Sequence, residues 1–205
     1  MTEIKDWTGN FYSIYRTIGA SNHTVNERQQ HDFYATEPKA AQLLLQEETF
    51  APNIWECACG QGHLSKVFEQ AGYSVRSTDI VYRGFGENEP VDFLFFQNAG
   101  SFDGDIITNP PYKYALEFVK QALHVVKLGH KVAMFLKLTF LEGKERKHFF
   151  MDNPPKTVYV SSSRLLCAKN GEFEKMIKGG GSAVACAWFV WVKGYKGDTV
   201  IKWIN

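Results

Sequence analysis

From residue 54 onward, short apolar runs alternate with segments of helical spacing, and this alternation leaves few folds open to the chain. Ile54-Trp55-Glu56 reads as a buried strand, Gly62 to Gln70 as a helix closed by Gly72, and Ser74 to Ile80 as a second strand. Asp105 to Thr108 is a strand of continuous apolar character. Tyr114 to Leu128 sets Leu116, Val119, Leu123 and Val126 near helical spacing, with Gly129 as its stop. Lys131 to Leu138 is a strand, Glu142 to Phe150 a charged helix, Lys156 to Val160 a strand, and Ala183 to Val192 a long apolar strand. Upstream, a helix is expected from about Pro38 to Gln46, capped by Thr36, with Leu43, Leu44 and Leu45 on its apolar side. Strands separated by helices pair in parallel, because the helix is the crossover. The expected fold is therefore α/β, with helices on both faces of a mostly parallel sheet. The short turn Lys193–Asp198 predicts that Thr199 to Ile204 returns onto the preceding strand as an antiparallel edge.

The 205 residues suffice for one domain with a full core, and 44% hydrophobic against 22% charged content argues against disorder. The reading is a single domain over residues 1–205, with residues 1–30 a partly mobile segment and 164–182 a substrate loop hinged at Gly179-Gly180-Gly181. No apolar stretch reaches membrane-spanning length and the first residues lack a signal-peptide layout, so the expected compartment is the cytoplasm. Cys57 and Cys59 form a C-x-C pair without a second ligand pair. Small buried thiols, not a metal site, are expected. A net charge of +1 requires any nucleic-acid surface to be a local basic face.

The strand at Asp105 runs into Asn109-Pro110-Pro111-Tyr112. Two prolines in succession fix two φ angles and remove two backbone donors, and each excludes the helical region for the residue before it. The chain leaves the strand as a stiff extended loop. The Asn109 side-chain oxygen and the Pro110 carbonyl become two fixed acceptors, suited to an –NH2 group with two donors. Tyr112 adds a flat face for a planar group. A proline-punctuated loop without a ligand also accounts for these residues.

Glu56-Cys57-Ala58-Cys59-Gly60-Gln61-Gly62 joins the first strand to its helix. Glycines at 60 and 62 permit a tight turn and close approach of a ligand at the carboxyl end of the sheet, although a bare Gly-x-Gly is equally a simple turn. Asp79 ends the second strand, 17 residues beyond Gly62, a separation at which an acid commonly takes two ribose hydroxyls, although taken singly it could equally cap a turn. Glu56 would repel a pyrophosphate. It suits a cofactor carrying ammonium and sulfonium charge, which S-adenosylmethionine does.

Taken together, the glycine segment and Asn109-Pro110-Pro111-Tyr112 resemble the amino-group class of S-adenosylmethionine-dependent methyltransferases. Asp32-Phe33-Tyr34-Ala35-Thr36-Glu37-Pro38 is similar to the Asp-x-Tyr-x-Thr-Pro segment of DNA adenine methyltransferases, departing at Glu37, where proline is common. The whole chain looks like small methyltransferases of phage and mobile-element type. The resemblance implies a three-layer Rossmann-like methyltransferase sheet. It implies that Tyr34 and Thr36 contact the methionine part of the cofactor, and that Glu56, Ala58, Cys59, Gly60 and Gly62 line its amino and sulfur side. Asp79 would hold the ribose, with Ile80 on the adenine ring and Asp92 and Phe93 as a later adenine contact, although Asp92-Phe93-Leu94 could simply start a buried element. Asn109, Pro110, Pro111 and Tyr112 would form the catalytic loop, Asn109 also touching cofactor. The implied reaction is methyl transfer to the N6 amine of adenine in DNA.

Lys113, Lys137, Lys144, Arg146 and Lys147, with His148, would contact phosphates along a basic rim; a solvated helix face explains the same charges. Little sequence remains for a large DNA-reading segment, so a partner protein for target recognition is a further expectation. Two alternatives stay open. Asn-Pro-Pro-Tyr also occurs in release-factor glutamine methyltransferases and some RNA methyltransferases, whose acceptors offer the same geometry. A non-catalytic cofactor- or nucleic-acid-binding module is the other.

Overall fold

A computed structural model describes residues 34–169, 171–178 and 184–205. The segment read as residues 1–30, Asp32 and Phe33 of the upstream motif, and the Gly179–Gly181 hinge lie outside the described residues. Strand β1 (Tyr34–Thr36) is followed by helix α1 (Pro38–Glu47), β2 (Asn53–Glu56), α2 (Ser65–Gln70), β3 (Ser74–Ser77) and β4 (Asp105–Thr108). Then come α3 (Ala115–Val125), β5 (Lys131–Lys137), α4 (Lys144–Asp152), β6 (Thr157–Ser161) and β7 (Cys167–Lys169). Helix α5 (Phe173–Lys178), β8 (Cys186–Val192) and β9 (Val200–Ile204) complete the chain.

Seven strands form one sheet in the order β3-β2-β4-β5-β8-β6-β9. The pairs β2·β3, β2·β4 and β4·β5 are parallel, as crossover helices require. The mostly parallel α/β sheet is the expected one, and β8 is its antiparallel member, paired with both β5 and β6. The partner of the final strand differs from expectation. β9 does not pair with β8; it lies parallel to β6 from Thr157↔Val200 to Ser161↔Ile204. The seven residues of β8 already have both edges occupied by β5 and β6, so the chain after Val192 has to pass across to the free edge of β6. The 193–198 segment is thus a crossing connection, and short length alone had suggested a hairpin.

Alternation along β5 explains the layers. Val132, Met134 and Leu136 join one cluster with Trp55, Ile106, Phe118, Val119, Phe189 and Trp191. Ala133 and Phe135 face the other cluster with Leu44, Ile54, Phe68, Ile107 and Trp188. Helix α3 covers the first face; α1 and α2 cover the second. Each large side chain fully removed from water here contributes about 1.5–3 kcal/mol. The indoles bury without orphaned donors: Trp188 Nε1 donates to the Ala40 carbonyl and Trp55 Nε1 to Thr78 Oγ1, both at 2.8 Å.

Several local boundaries differ from the sequence reading. Helix α2 starts only at Ser65, because residues 60–64 are used up in turns. The Tyr114–Leu128 helix is a 3-10 turn over Tyr112–Tyr114 followed by α3, which ends at Val125. Thr36 does not cap α1; Glu37 holds that position, and its carboxylate accepts instead from the Leu166 amide at 2.6 Å. The Glu37 amide in turn donates to the Leu166 carbonyl at 3.0 Å. A proline at 37 has no N–H to make that bond. The segment read as a substrate loop over 164–182 carries regular structure: β7 pairs antiparallel with β1 from Tyr34↔Lys169 to Thr36↔Cys167, and α5 follows. No helix among the described residues is long and apolar enough to cross a membrane.

Candidate active site

The carboxyl ends of β2, β3 and β4 bring three segments together. After β2 the chain turns through Gly60 and Gly62 at φ +54° and +76°, a region that disfavours a Cβ. Asp79, just past β3, braces the turn: Oδ2 accepts from the Gly60 amide at 2.8 Å and Oδ1 from the Val81 amide at 3.0 Å. The Cys59 amide donates to the Thr78 carbonyl at 2.9 Å, tying the same two segments by backbone. The Asp79 carboxylate remains half-buried, with lone pairs to spare for hydroxyl donors. Ile80 beside it is 46% exposed, an apolar surface at the mouth of the turn.

Gly62 has a partner that sequence reasoning missed. A Cβ at this position would lie 2.3 Å from the Phe85 ring, so the glycine makes room for an aromatic of the Arg83–Gly86 loop. Lys66 Nζ lies 4.9 Å from the centre of that ring. The signal was present as Arg83-Gly84-Phe85-Gly86, a glycine-flanked aromatic, but spacing gave no hint of which glycine it would meet.

Glu56 is 2% exposed and directed into the protein. Its Oε2 accepts from the Ser65 amide at 2.9 Å and from the Ser65 hydroxyl, which also contacts Ser77 Oγ at 2.7 Å. Burial pushes the carboxyl up to about 8. The residue therefore stitches β2, the start of α2 and the end of β3 together beneath the glycine turn. Ala58 is half-buried in the same turn, and burial pushes the Cys59 thiol up to about 12. All four cysteines are free and buried.

Asp92 accepts from the Leu94 amide at 3.0 Å and starts a 3-10 turn over Phe93–Phe95. Phe93 is 2% exposed, and its ring packs on Trp55 at 5.2 Å and Phe118 at 5.4 Å. The structure thus gives the Phe93 ring to the core, beneath the loops, while Asp92 stays exposed at their surface.

Asn109 and Tyr112 follow β4 and meet the β1–β7 ribbon. Asn109 Nδ2 donates to the Tyr34 carbonyl at 3.0 Å, which fixes the amide plane. Asn109 Oδ1 is buried, and no donor among the described residues reaches it. A buried amide oxygen without a donor costs about 1–3 kcal/mol, so this atom is open to a donor beyond the described residues. Tyr112 lies against Tyr34 with ring centres 6.3 Å apart and planes at 26°, and Lys137 Nζ sits 4.7 Å from the centre of the same ring. Its hydroxyl donates to Cys167 Sγ at 3.1 Å and lies 3.6 Å from Cys186 Sγ. Burial pushes the phenol well above its usual range. Pro110 is buried and Pro111 half-buried between them, so the tetrapeptide is packed along its length.

A shallow cleft of about 90 Å³ opens beside Tyr112, lined by Ala115, Leu136, Lys137, Phe140 and Arg146. Lys113, Lys144, Lys147 and His148 are exposed near it in sequence, while Lys137 and Arg146 are half-buried. Among the described residues, Lys113, Lys137, Lys144, Arg146 and Lys147 form no ion pair; the paired cations include Arg76, Lys127, Lys131 and Lys175. Arg146 donates to the Thr139 and Glu142 carbonyls and stacks on Phe140 at 5.2 Å. On the other side of Tyr34, α5 approaches the glycine turn, with Phe173 edge-on to His63 at 5.5 Å.

No protein-family model and no curated protein matches the chain. Solved structures share its architecture. A type I restriction-modification system methyltransferase subunit from Streptococcus thermophilus superposes with a TM-score of 0.57 at 13% identity, over 85% of this chain and 48% of that one. A TehB-like SAM-dependent methyltransferase from Corynebacterium glutamicum gives 0.50 at 12% identity, over 88% and 95%. Geranyl diphosphate C-methyltransferase from Streptomyces coelicolor, solved with S-adenosyl-L-homocysteine, gives 0.50 at 11% identity, over 90% and 98%. The fold is the three-layer Rossmann-like fold of S-adenosylmethionine-dependent methyltransferases. The chain spans about half the length of the restriction-modification subunits it matches.

Proposed function

We propose that this protein is an S-adenosylmethionine-dependent N-methyltransferase whose acceptor is the exocyclic N6 amine of adenine in DNA. The observation that carries the reading is Asn109 Oδ1: a buried acceptor, oriented by the Tyr34 carbonyl, with no donor of the described chain upon it. The next carbonyl in the chain, Pro110, supplies a second acceptor. Together they match the two hydrogens of an amine.

The residues around the turn fit the cofactor. Asp79 presents a carboxylate to ribose hydroxyls, Ile80 presents apolar surface to an adenine ring, and Gly60 keeps the backbone free of a Cβ on the ligand side. Tyr34 and Thr36, on β1, border the methionine part. Glu56 acts from beneath, by fixing the turn through Ser65. S-adenosylmethionine supplies a methyl already activated on sulfonium.

The chain then has little covalent work to do. An amine conjugated to a ring is a poor nucleophile. Acceptors at Asn109 and Pro110 hold both its hydrogens, favour a pyramidal nitrogen and stabilise positive charge as it develops. Positioning in line with the S–CH3 bond provides most of the remaining gain. The amine proton leaves after transfer, so no strong base is needed. A base within a duplex must be flipped out to reach this loop. Lys137, Arg146, Lys113, Lys144 and Lys147 contact phosphates around it.

On motif order we place the protein with small methyltransferases of phage and mobile-element type, acting in the cytoplasm. A partner protein for target recognition is part of this reading. The test is incubation with methyl-labelled cofactor and separate DNA, RNA and protein acceptors, followed by nucleoside analysis. Label recovered as N6-methyladenine from DNA is the expected result. Label only in RNA or in protein glutamine would overturn the acceptor assignment, and no label in any acceptor would overturn the enzyme.

A further inference from the structure

Two cysteines from different strands meet at the catalytic loop. Cys167 opens β7, where it faces Thr36 of β1, and Cys186 opens β8, where it faces Lys137 of β5. Both thiols are buried. Both lie against one atom, the Tyr112 hydroxyl, at 3.1 and 3.6 Å. Cys167 Sγ is also 4.0 Å from Asn109 Nδ2. Neither the methyl transfer nor the cofactor pocket uses these sulfurs, yet one of them touches both polar side chains of Asn109–Tyr112.

We propose that Cys167, backed by Cys186, is a positioning residue for methyl transfer: it anchors the Tyr112 hydroxyl and so sets the attitude of the ring that borders the acceptor. The physical case rests on the loop itself. Pro110 and Pro111 supply no N–H to bind the loop to its surroundings, so it is held by side chains. Asn109 is held through Nδ2 by Tyr34, and Tyr112 through its hydroxyl by Cys167. Among the described residues, Tyr34 stacks on the Tyr112 ring and Lys137 Nζ lies over it, but neither contact holds the hydroxyl end. The phenol–thiol bond does. A buried hydroxyl deprived of that acceptor would turn to seek another, and the ring and Asn109 would shift with it. The inference rests on the proposed reading of the site, which it deepens by adding a residue that does not touch the acceptor.

Four variants test it: Cys167→Ala, Cys167→Ser, Tyr112→Phe and the double variant Cys167→Ala with Tyr112→Phe. Serine retains a hydroxyl acceptor, alanine does not, and phenylalanine removes the donor. We expect Cys167→Ala to lower kcat/KM about tenfold with cofactor affinity unchanged by calorimetry, Cys167→Ser to restore most of it, and the double variant to lose no more than either single. Hydrogen exchange of residues 112–114, read independently of turnover, should speed up in Cys167→Ala and return in Cys167→Ser. Unchanged exchange in Cys167→Ala, or additive losses in the double variant, would overturn the anchor. If the wild type transfers methyl to nothing, the functional reading fails while the exchange comparison still decides this one. Tyr112→Phe supplies the same comparison if Cys167→Ala does not fold.

Discussion

Asn109 Nδ2 donates to the backbone carbonyl of Tyr34 across 75 residues of chain, at 3.0 Å. This bond decides which end of the amide faces the pocket. With one N–H on the Tyr34 carbonyl and Cys167 Sγ beside the nitrogen at 4.0 Å, the oxygen is the end left for a ligand, and a ligand there has to bring a hydrogen. On the proposed reading, the ribbon of β1 and β7 takes part in the chemistry, because its Tyr34 carbonyl turns the Asn109 oxygen towards the acceptor.

Replacing Asn109 by alanine removes that acceptor and leaves the Tyr34 carbonyl with one donor fewer. Methyl transfer should fall by about 10²–10³, the usual cost of one preorganised polar group in a transition state. Cofactor binding should change far less. Calorimetry with S-adenosylmethionine alongside single-turnover transfer measures both; equal losses in the two would show that Asn109 serves binding only.

Glu56 gives a pH prediction. Its folded value is raised, to about 8 from 4.5, so the folded protein holds this proton more tightly than the unfolded chain. Its contribution to stability is complete below 4.5 and is lost as the pH rises through about 8. Wild-type melting temperature should therefore drop from this group between about pH 5 and 8, and Glu56→Gln should flatten the drop. Parallel melting curves for the two proteins over that range would refute the assignment.

Gly62→Ala meets two obstacles, a positive φ and the Phe85 ring. The backbone strain alone costs about 1–3 kcal/mol. Shortening the ring with Phe85→Ala should relieve the clash and leave the strain, so the double variant should recover part of the loss in chemical denaturation. Full recovery would mean that φ at 62 is unconstrained.

Lys137, Arg146 and Lys147 should act through charge. Each alanine substitution is expected to weaken DNA binding across sequences and to reduce the slope of log K against log salt by about 1 for each phosphate no longer neutralised. Unchanged slopes would return these residues to the status of a solvated surface.

Periodicity read the sheet well where strand and helix alternate. The runs at 54–56, 105–108 and 131–138 became β2, β4 and β5 with shifts of only a residue or so. It read the last third less well. Thr199–Ile204 was assigned to its neighbour in sequence, while pairing was decided by which sheet edge remained open. The strand β7 was hidden because Cys167-Ala168-Lys169 is too short to show alternation, and its partner β1 lies far upstream, with Thr36 opposite Cys167. Glu37 looked like a departure from a familiar motif; its amide and carboxylate both bind Leu166, and that need was invisible without the ribbon. Of the site, the turn at Gly60, the acid at Asp79 and the Asn109–Tyr112 loop were legible because each is a backbone device carried by its own residue types. Phe85, Cys167 and Cys186 were not, since an aromatic or a buried thiol acquires its role only from what the fold sets beside it.

The central claim is that Asn109 Oδ1 and the Pro110 carbonyl receive the two hydrogens of an acceptor amine facing a bound methyl donor. A crystal structure with S-adenosyl-L-homocysteine and a short adenine-containing DNA tests it most directly. We predict the cofactor sulfur at the Gly60 turn and an adenine N6 within hydrogen-bond distance of both oxygens. A cofactor bound away from that turn, or an acceptor whose amine avoids Asn109, would contradict it.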